Sequence, residues 1–339
     1  MMRRRKALTL SHPPRHADEK SRVTTPTMKT KRILVAGIFA LGIIAISPAR
    51  AALYITSFDK NTVGEYDATT GAAIAGWTSP TGLGGPFGLA LSGNFLYVAS
   101  EHTNAVGKFN ATTGAAIAGW ISPTGLNAPQ GLALSGNSLY VSNANTSTVG
   151  KFDATTGLPI LGWTSPSGLN TPVGLALSGN ILYVANNVTG TVGEYDATTG
   201  AVINATLISG LKTPLFLALA GNHLYVANNS NNTVDEFDAT TGTRIAGWTS
   251  PSGLSSPTGL ALAGNNLYVT NYVTSSVGMF DATTGAPIAG WTSPSGLSGT
   301  VNIAVTAPTP EPTSAALLGL GAILIASRRR EVRSHSPRP

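Results

Sequence analysis

The chain has 339 residues with a formal charge of +6, only 11% charged residues, 39 glycines and no cysteine. A disulfide framework or thiolate metal site is therefore excluded, and a composition rich in turn formers favours short strands and tight turns. The positive charge sits at the ends: residues 1–51 carry eleven Lys/Arg and two acids, residues 313–339 carry five Arg and one acid, and residues 52–312 carry five basic against twelve acidic residues, a balance of −7. That central segment lacks the basic footprint of a nucleic-acid binder.

Residues 1–27 are polar and basic without a hydrophobic period, as expected of a disordered segment or an extension ahead of a true start at Met28. From Met28 the pattern is that of a secretory signal spanning 28–51: Lys29, Lys31 and Arg32, an apolar run from Ile33 to Ile46, then Ala49-Arg50-Ala51. Cleavage between Ala51 and Ala52 is expected, after export by the Sec machinery.

The segment 52–306 repeats. A Leu-Tyr pair recurs at Leu53, Leu96, Leu139, Leu182, Leu224 and Leu267, spaced by 43, 43, 43, 42 and 43 residues. An Asp-Ala-Thr-Thr-Gly turn keeps pace from Asp67 through Asn110, Asp153, Asp196 and Asp238 to Asp281. This periodicity signals a propeller or an array. Within each repeat four strand-like runs, a to d, are separated by turn signals; around the third they are Gly131–Leu134, Leu139–Ser142, Thr148–Phe152 and Leu158–Trp163. Ser-Gly-Asn links a to b with the chemistry of a tight hairpin. In the c–d turn the Asp accepts backbone N–H bonds and the Gly takes the left-handed position. Two hairpins in series predict a four-stranded antiparallel propeller blade.

The ends predict closure. The repeats begin at Leu53 with a b strand that lacks its a strand, and they finish with Asn302-Ile303-Ala304-Val305, an a strand with no b strand after it. The leftover strand would complete the first blade of a six-bladed, all-β propeller and leave no stray edge.

The runs LYVTNYVTSSVGMFDATTG and PTGLALAGNNLYVTN resemble the YVTN-type and NHL-type β-propeller repeats of bacterial and archaeal surface proteins. Tyr268-Val269-Thr270-Asn271 matches the name motif, while other copies read LYVAN or LYVAS. The resemblance implies the fold and an interaction role. Beyond it, 307–339 resembles a PEP-CTERM sorting signal of Gram-negative bacteria: Pro310-Glu311-Pro312, an apolar run 315–326, then Arg328, Arg329 and Arg330. Twelve apolar residues are short for a permanent span of roughly 20, so transient membrane association is expected. The likeness implies processing by an exosortase and delivery to the envelope, outer surface or extracellular matrix.

No catalytic constellation emerges. The a strands supply Leu, Ala, Ser and Gly, with Phe216 as an oddity, and His102 and His223 belong to loops at opposite ends of a blade. Asp59, Glu101 and His102, from b–c loops of adjacent blades, are the best candidate for a cation site, and a divalent cation there would point to the alternative of a lactonase- or lyase-like enzyme; solvated surface groups are the plainer reading. No cofactor is expected. Trp77, Trp120, Trp163, Trp248 and Trp291 share one slot, where packing between blades is commoner than sugar stacking. The b–c loops vary most, so the expected contact face comprises Asn143, Asn186, Asn187, Asn228, Asn229, Asn271 and Tyr272, with a polysaccharide or envelope protein as partner. The function read from the sequence is a non-enzymatic binding or structural module.

Overall fold

A computed structural model describes residues 51–306. The signal segment before Ala51, the Pro310-Glu311-Pro312 motif, and Arg328, Arg329 and Arg330 lie outside the described residues. Ala51 lies against the repeats, its carbonyl accepting from the Ala68 amide at 3.0 Å.

Alternating apolar residues and Gly-Asn hairpins build nineteen strands in six antiparallel sheets among the described residues. The first sheet holds β1 (Ala52–Ser57) and β2 (Thr62–Asp67). The second is β3 (Pro86–Ser92), β4 (Phe95–Ser100) and β5 (Ala105–Asn110), and the third is β6 (Pro129–Ser135), β7 (Ser138–Asn143) and β8 (Thr148–Asp153). The fourth contains β9 (Pro172–Ser178), β10 (Ile181–Asn186), β11 (Thr191–Asp196) and β12 (Val202–Ile208). The fifth is β13 (Pro214–Ala220), β14 (His223–Asn228) and β15 (Thr233–Asp238); the sixth is β16 (Pro257–Ala263), β17 (Asn266–Asn271) and β18 (Ser276–Asp281). The last strand, β19 (Thr300–Val305), returns to the first sheet and pairs with β1, placing Leu53 opposite Val305 and Ile55 opposite Ile303. The six leading strands touch in cyclic order, β19 to β3, β6, β9, β13, β16 and back to β19.

Side-chain hydrogen bonds bind this ring. In each sheet the Tyr after the recurring Leu donates its hydroxyl to the Ala carbonyl of the next sheet's Asp-Ala-Thr-Thr turn. The pairs are Tyr54 to Ala111 at 2.9 Å, Tyr97 to Ala154 at 2.8 Å and Tyr140 to Ala197 at 2.6 Å. Tyr183 to Ala239 at 3.1 Å and Tyr225 to Ala282 at 2.8 Å follow, and Tyr268 to Ala68 at 2.9 Å joins the sixth sheet to the first. A buried hydroxyl left unmade would be costly, so the same residue both fills the apolar seam and fixes the angle between sheets. Six core clusters each lie between neighbouring sheets; Leu53, Ile55, Tyr66 and Ile303 pack with Ala261, Tyr268 and Val277 across the final seam. The c-strand aromatics Tyr66, Phe109, Phe152, Tyr195, Phe237 and Phe280 are all buried.

The expected fourth strand is a correction. Only β12 is a full d strand; in the other five sheets d shrinks to a single bridge, such as Tyr66 with Ala73 or Phe152 with Pro159, leaving those sheets three-stranded. A glycine explains the break. Gly76, Gly119, Gly162, Gly247 and Gly290 take φ of 77° to 86°, turning the chain off the sheet. The fourth repeat has Ala205 at that position, with β-branched residues around it, and runs on as a strand.

Candidate functional site

The b–c and d–a loops share one end of the ring, and their polar side chains hold the loops to one another. Oδ1 of Asn143 accepts the Asn127 amide at 3.0 Å, Asn186 accepts Asn170 at 3.0 Å, Asn228 accepts Lys212 at 3.3 Å and Asn271 accepts Ser255 at 2.9 Å. All four asparagines are buried. Their assignment to an exposed contact face is therefore corrected: the end of each b strand carries Asn because its amide clamps the preceding loop. A second clamp comes from the left-handed residue of the b–c loop; Asn61, Asn104 and Asn232 accept the amides of Gly85, Ala128 and Ser256 at 2.7 Å. Of the proposed face, Asn187 and Asn229 are half-buried, with side-chain amides 3.4 Å from the Pro214 and Pro257 carbonyls, and Tyr272 is exposed.

The cation cluster is also corrected. Asp59 accepts the Ser298 hydroxyl at 3.1 Å, and the His102 ring stands edge-on to Phe58 with centroids 4.9 Å apart. Among the described residues no three His, Asp or Glu side chains gather to hold a metal ion. Asp59, Glu101 and His102 do not converge as a ligand set. His223, at the other end of the sheets, pairs instead with Glu236 at 2.7 Å.

What converges is apolar. The second residues of the inner strands are Phe87, Gln130, Val173, Leu215, Thr258 and Val301, four of them apolar. Val173, Phe216 and Val301 form one buried cluster with Phe58, Phe87 and Leu215 against it. Phe87 and Phe216 come from opposite sides of the ring, with centroids 5.8 Å apart. Above this plug is a cavity of about 220 Å³, walled by Phe58, Phe87, Leu215 and Val301 and rimmed by Asn229, Thr258 and Tyr272.

Residues 87–103, from the second sheet, match the LVIVD repeat model. A chain in the crystal structure of a nidogen/laminin complex superposes with a TM-score of 0.59 at 16% identity, covering 75% of this chain and 98% of that one. The computationally designed Ika8 protein aligns with a TM-score of 0.49 at 19% identity over 73% of each chain. No curated protein sequence matches. The chain is a β-propeller-like repeat protein.

The lining of the propeller's mouth offers no carboxylate, imidazole or amine. Ring edges and aliphatic walls favour uncharged groups, while Tyr272 and Asn229 present polar tips at the rim. Sequence reasoning missed this cavity because it followed the Leu and Ala of the a strands, which face the seams. The available signal was the varied slot after the recurring Pro.

Proposed function

We propose that this chain is an exported, surface- or matrix-sorted six-bladed β-propeller, with YVTN/NHL-type repeats and a PEP-CTERM-like tail, that binds without catalysing a reaction. The supporting observation is the axial mouth: an apolar cavity between aromatic walls, with no carboxylate, imidazole or amine in its lining to partner its two hydroxyls. Its partner is an exopolysaccharide or another envelope component, gripped at the rim by Tyr272 and Asn229 with Phe58 beneath. Apolar faces of sugar rings pack on aromatic faces, and rim hydroxyl and amide groups supply directional bonds. The clamped loops keep this rim in one shape, so little ordering cost accompanies binding.

The test is retention of the host's exopolysaccharide by purified protein. Replacing Tyr272 with Ala and Phe58 with Ala together should weaken retention about tenfold, near 1.4 kcal/mol. Unchanged retention, with unfolding curves like wild type, would remove the mouth from the binding reading. Sorting is tested separately: deletion of 310–339 should shift the protein's cell fractionation, and an unaltered fractionation would overturn the tail's assigned role.

A further inference from the structure

The seams between neighbouring sheets are built alike, and two of them already hold an ammonium group. Between the second and third sheets, Lys108 Nζ donates to the Ala154 carbonyl at 2.9 Å and lies 5.2 Å from the ring centroids of both Tyr97 and Trp120. Between the third and fourth, Lys151 Nζ donates to the Ala197 carbonyl at 2.9 Å, 5.2 Å from Tyr140 and 5.4 Å from Trp163. The carbonyl is the same one that accepts the tyrosine hydroxyl, so both of its lone pairs are used. Aromatic faces and a carbonyl together replace water around the cation.

Between the fifth and sixth sheets the frame is preserved and the lysine is not. Tyr225 donates to the Ala282 carbonyl at 2.8 Å, and the Tyr225 and Trp248 rings stand edge to face at 5.4 Å. The slot of Lys108 and Lys151 is filled by Glu236, which is 3% exposed. A cavity of about 440 Å³ opens there, lined by Tyr225, Glu236, Trp248, Leu262 and Asn265, with His223 at its edge. His223 Nδ1 lies 2.7 Å from Glu236 Oε1, which orients the carboxylate. The seam at the fourth sheet has Glu194 in the slot but Thr206 where the Trp would stand. The seam at the first sheet has Glu65, to which Tyr54 donates at 2.9 Å, and β19 ends beside it.

We propose that the fifth seam binds a primary alkylammonium group carried by a ligand, in the position that Lys108 and Lys151 fill in the sibling seams. Replacing Lys by Glu removes the internal cation and installs its counter-charge, while the two rings and the Ala282 carbonyl remain. A carboxylate beside the ammonium offsets its desolvation, which a carbonyl and rings alone do less well. The N–H bond to Ala282 discriminates against quaternary amines, and the Glu236 carboxylate and ring faces against acetylated ones, which carry no charge. The site lies at the a–b hairpin end, away from the axial mouth, so it can fail or hold without bearing on exopolysaccharide retention.

The test is titration of the full-length protein with cadaverine, with Nα-acetyl-lysine methylamide and with the Nε-acetylated form of the latter, followed by calorimetry and by the Trp248 indole N–H resonance. Saturable binding of at least one amine is expected, with the Nε-acetylated probe at least about tenfold weaker. Preference between cadaverine and the lysine probe distinguishes a free polyamine from a polypeptide side chain. Glu236→Lys should fold, since the siblings carry Lys in this slot, and should abolish binding. Glu236→Gln should weaken it about tenfold and decides the matter if the Lys variant fails to fold. Absence of amine binding, equal binding of the acetylated probe, or wild-type affinity in the folded Glu236 variants would overturn the proposal.

Discussion

At the scale of single residues, the turn acids show how one side chain does several jobs. Asp153 Oδ1 accepts the amides of Thr155 and Thr156 at 2.9 and 2.7 Å, and Asp196, Asp238 and Asp281 repeat the pattern. Their carboxyls are held below the usual range, in Asp153, Asp196 and Asp238 first by the backbone N–H three residues on and in Asp281 first by the Thr284 hydroxyl. A folded value below the unfolded one gives stability that is present above about pH 3.9 and is lost as the pH falls through the folded value. Asn110 makes the same two turn bonds at 2.9 and 3.0 Å without a titrating group. The variant with Asn at 153, 196, 238 and 281 should therefore lose less stability between neutral pH and about pH 3 than wild type. Urea midpoints at the two pH values check this, and parallel losses would refute it. The buried clamps give a second prediction: Asn186→Ala leaves the Asn170 amide without its acceptor and should cost about 1–2 kcal/mol in urea unfolding. The turn aspartates were legible in the sequence because an Asx turn is local. The clamp asparagines were misread, since an Asn followed by a variable loop looks the same whether its side chain faces water or a neighbouring loop.

Among the elements, the contrast between the single d strand and its five truncated siblings centres on one glycine position and the β-branched residues around it. Gly162 has φ of 82° and its absent Cβ would meet nothing within 4 Å, so backbone strain and not crowding is what a side chain would add there. Gly162→Ala should destabilise by about 1 kcal/mol, measured by chemical denaturation. Stability equal to wild type would mean that the left-handed geometry is not needed. By contrast Gly131 sits where a Cβ would lie 1.9 Å from the Val173 carbonyl of the next inner strand. Gly131→Ala should be far more damaging, because the inner strands of two sheets would have to separate. Strands a, b and c were legible from alternation and hairpin chemistry. Strand d was over-read, because a hairpin turn was taken to imply a whole returning strand.

For the whole molecule, closure depends on β19 and on the hydroxyl girdle. Tyr268→Ala removes a fully packed ring together with the bond to Ala68 that spans the final seam, and should cost about 3–5 kcal/mol. Tyr268→Phe should cost about 1 kcal/mol, since the Ala68 carbonyl keeps the Trp291 indole N–H at 3.1 Å. Thermal unfolding with matched calorimetric and van't Hoff enthalpies would show whether the ring melts as one unit, and equal losses for the two variants would contradict the packing account. By itself the sequence determined the repeat, its turns and the leftover strand that meets β1, because period, Gly-Asn hairpins and Asx turns are properties of neighbours along the chain. The tertiary structure decided which faces are wet. Phe87, Phe216 and Val301 are far apart in sequence, and only the ring brings them across its axis to make a mouth. Glu236 likewise acquires its meaning only beside Trp248 and Ala282, where two sibling seams hold a lysine. Side-chain environment is set by the seams between repeats, and no residue states in the sequence which neighbour it will face.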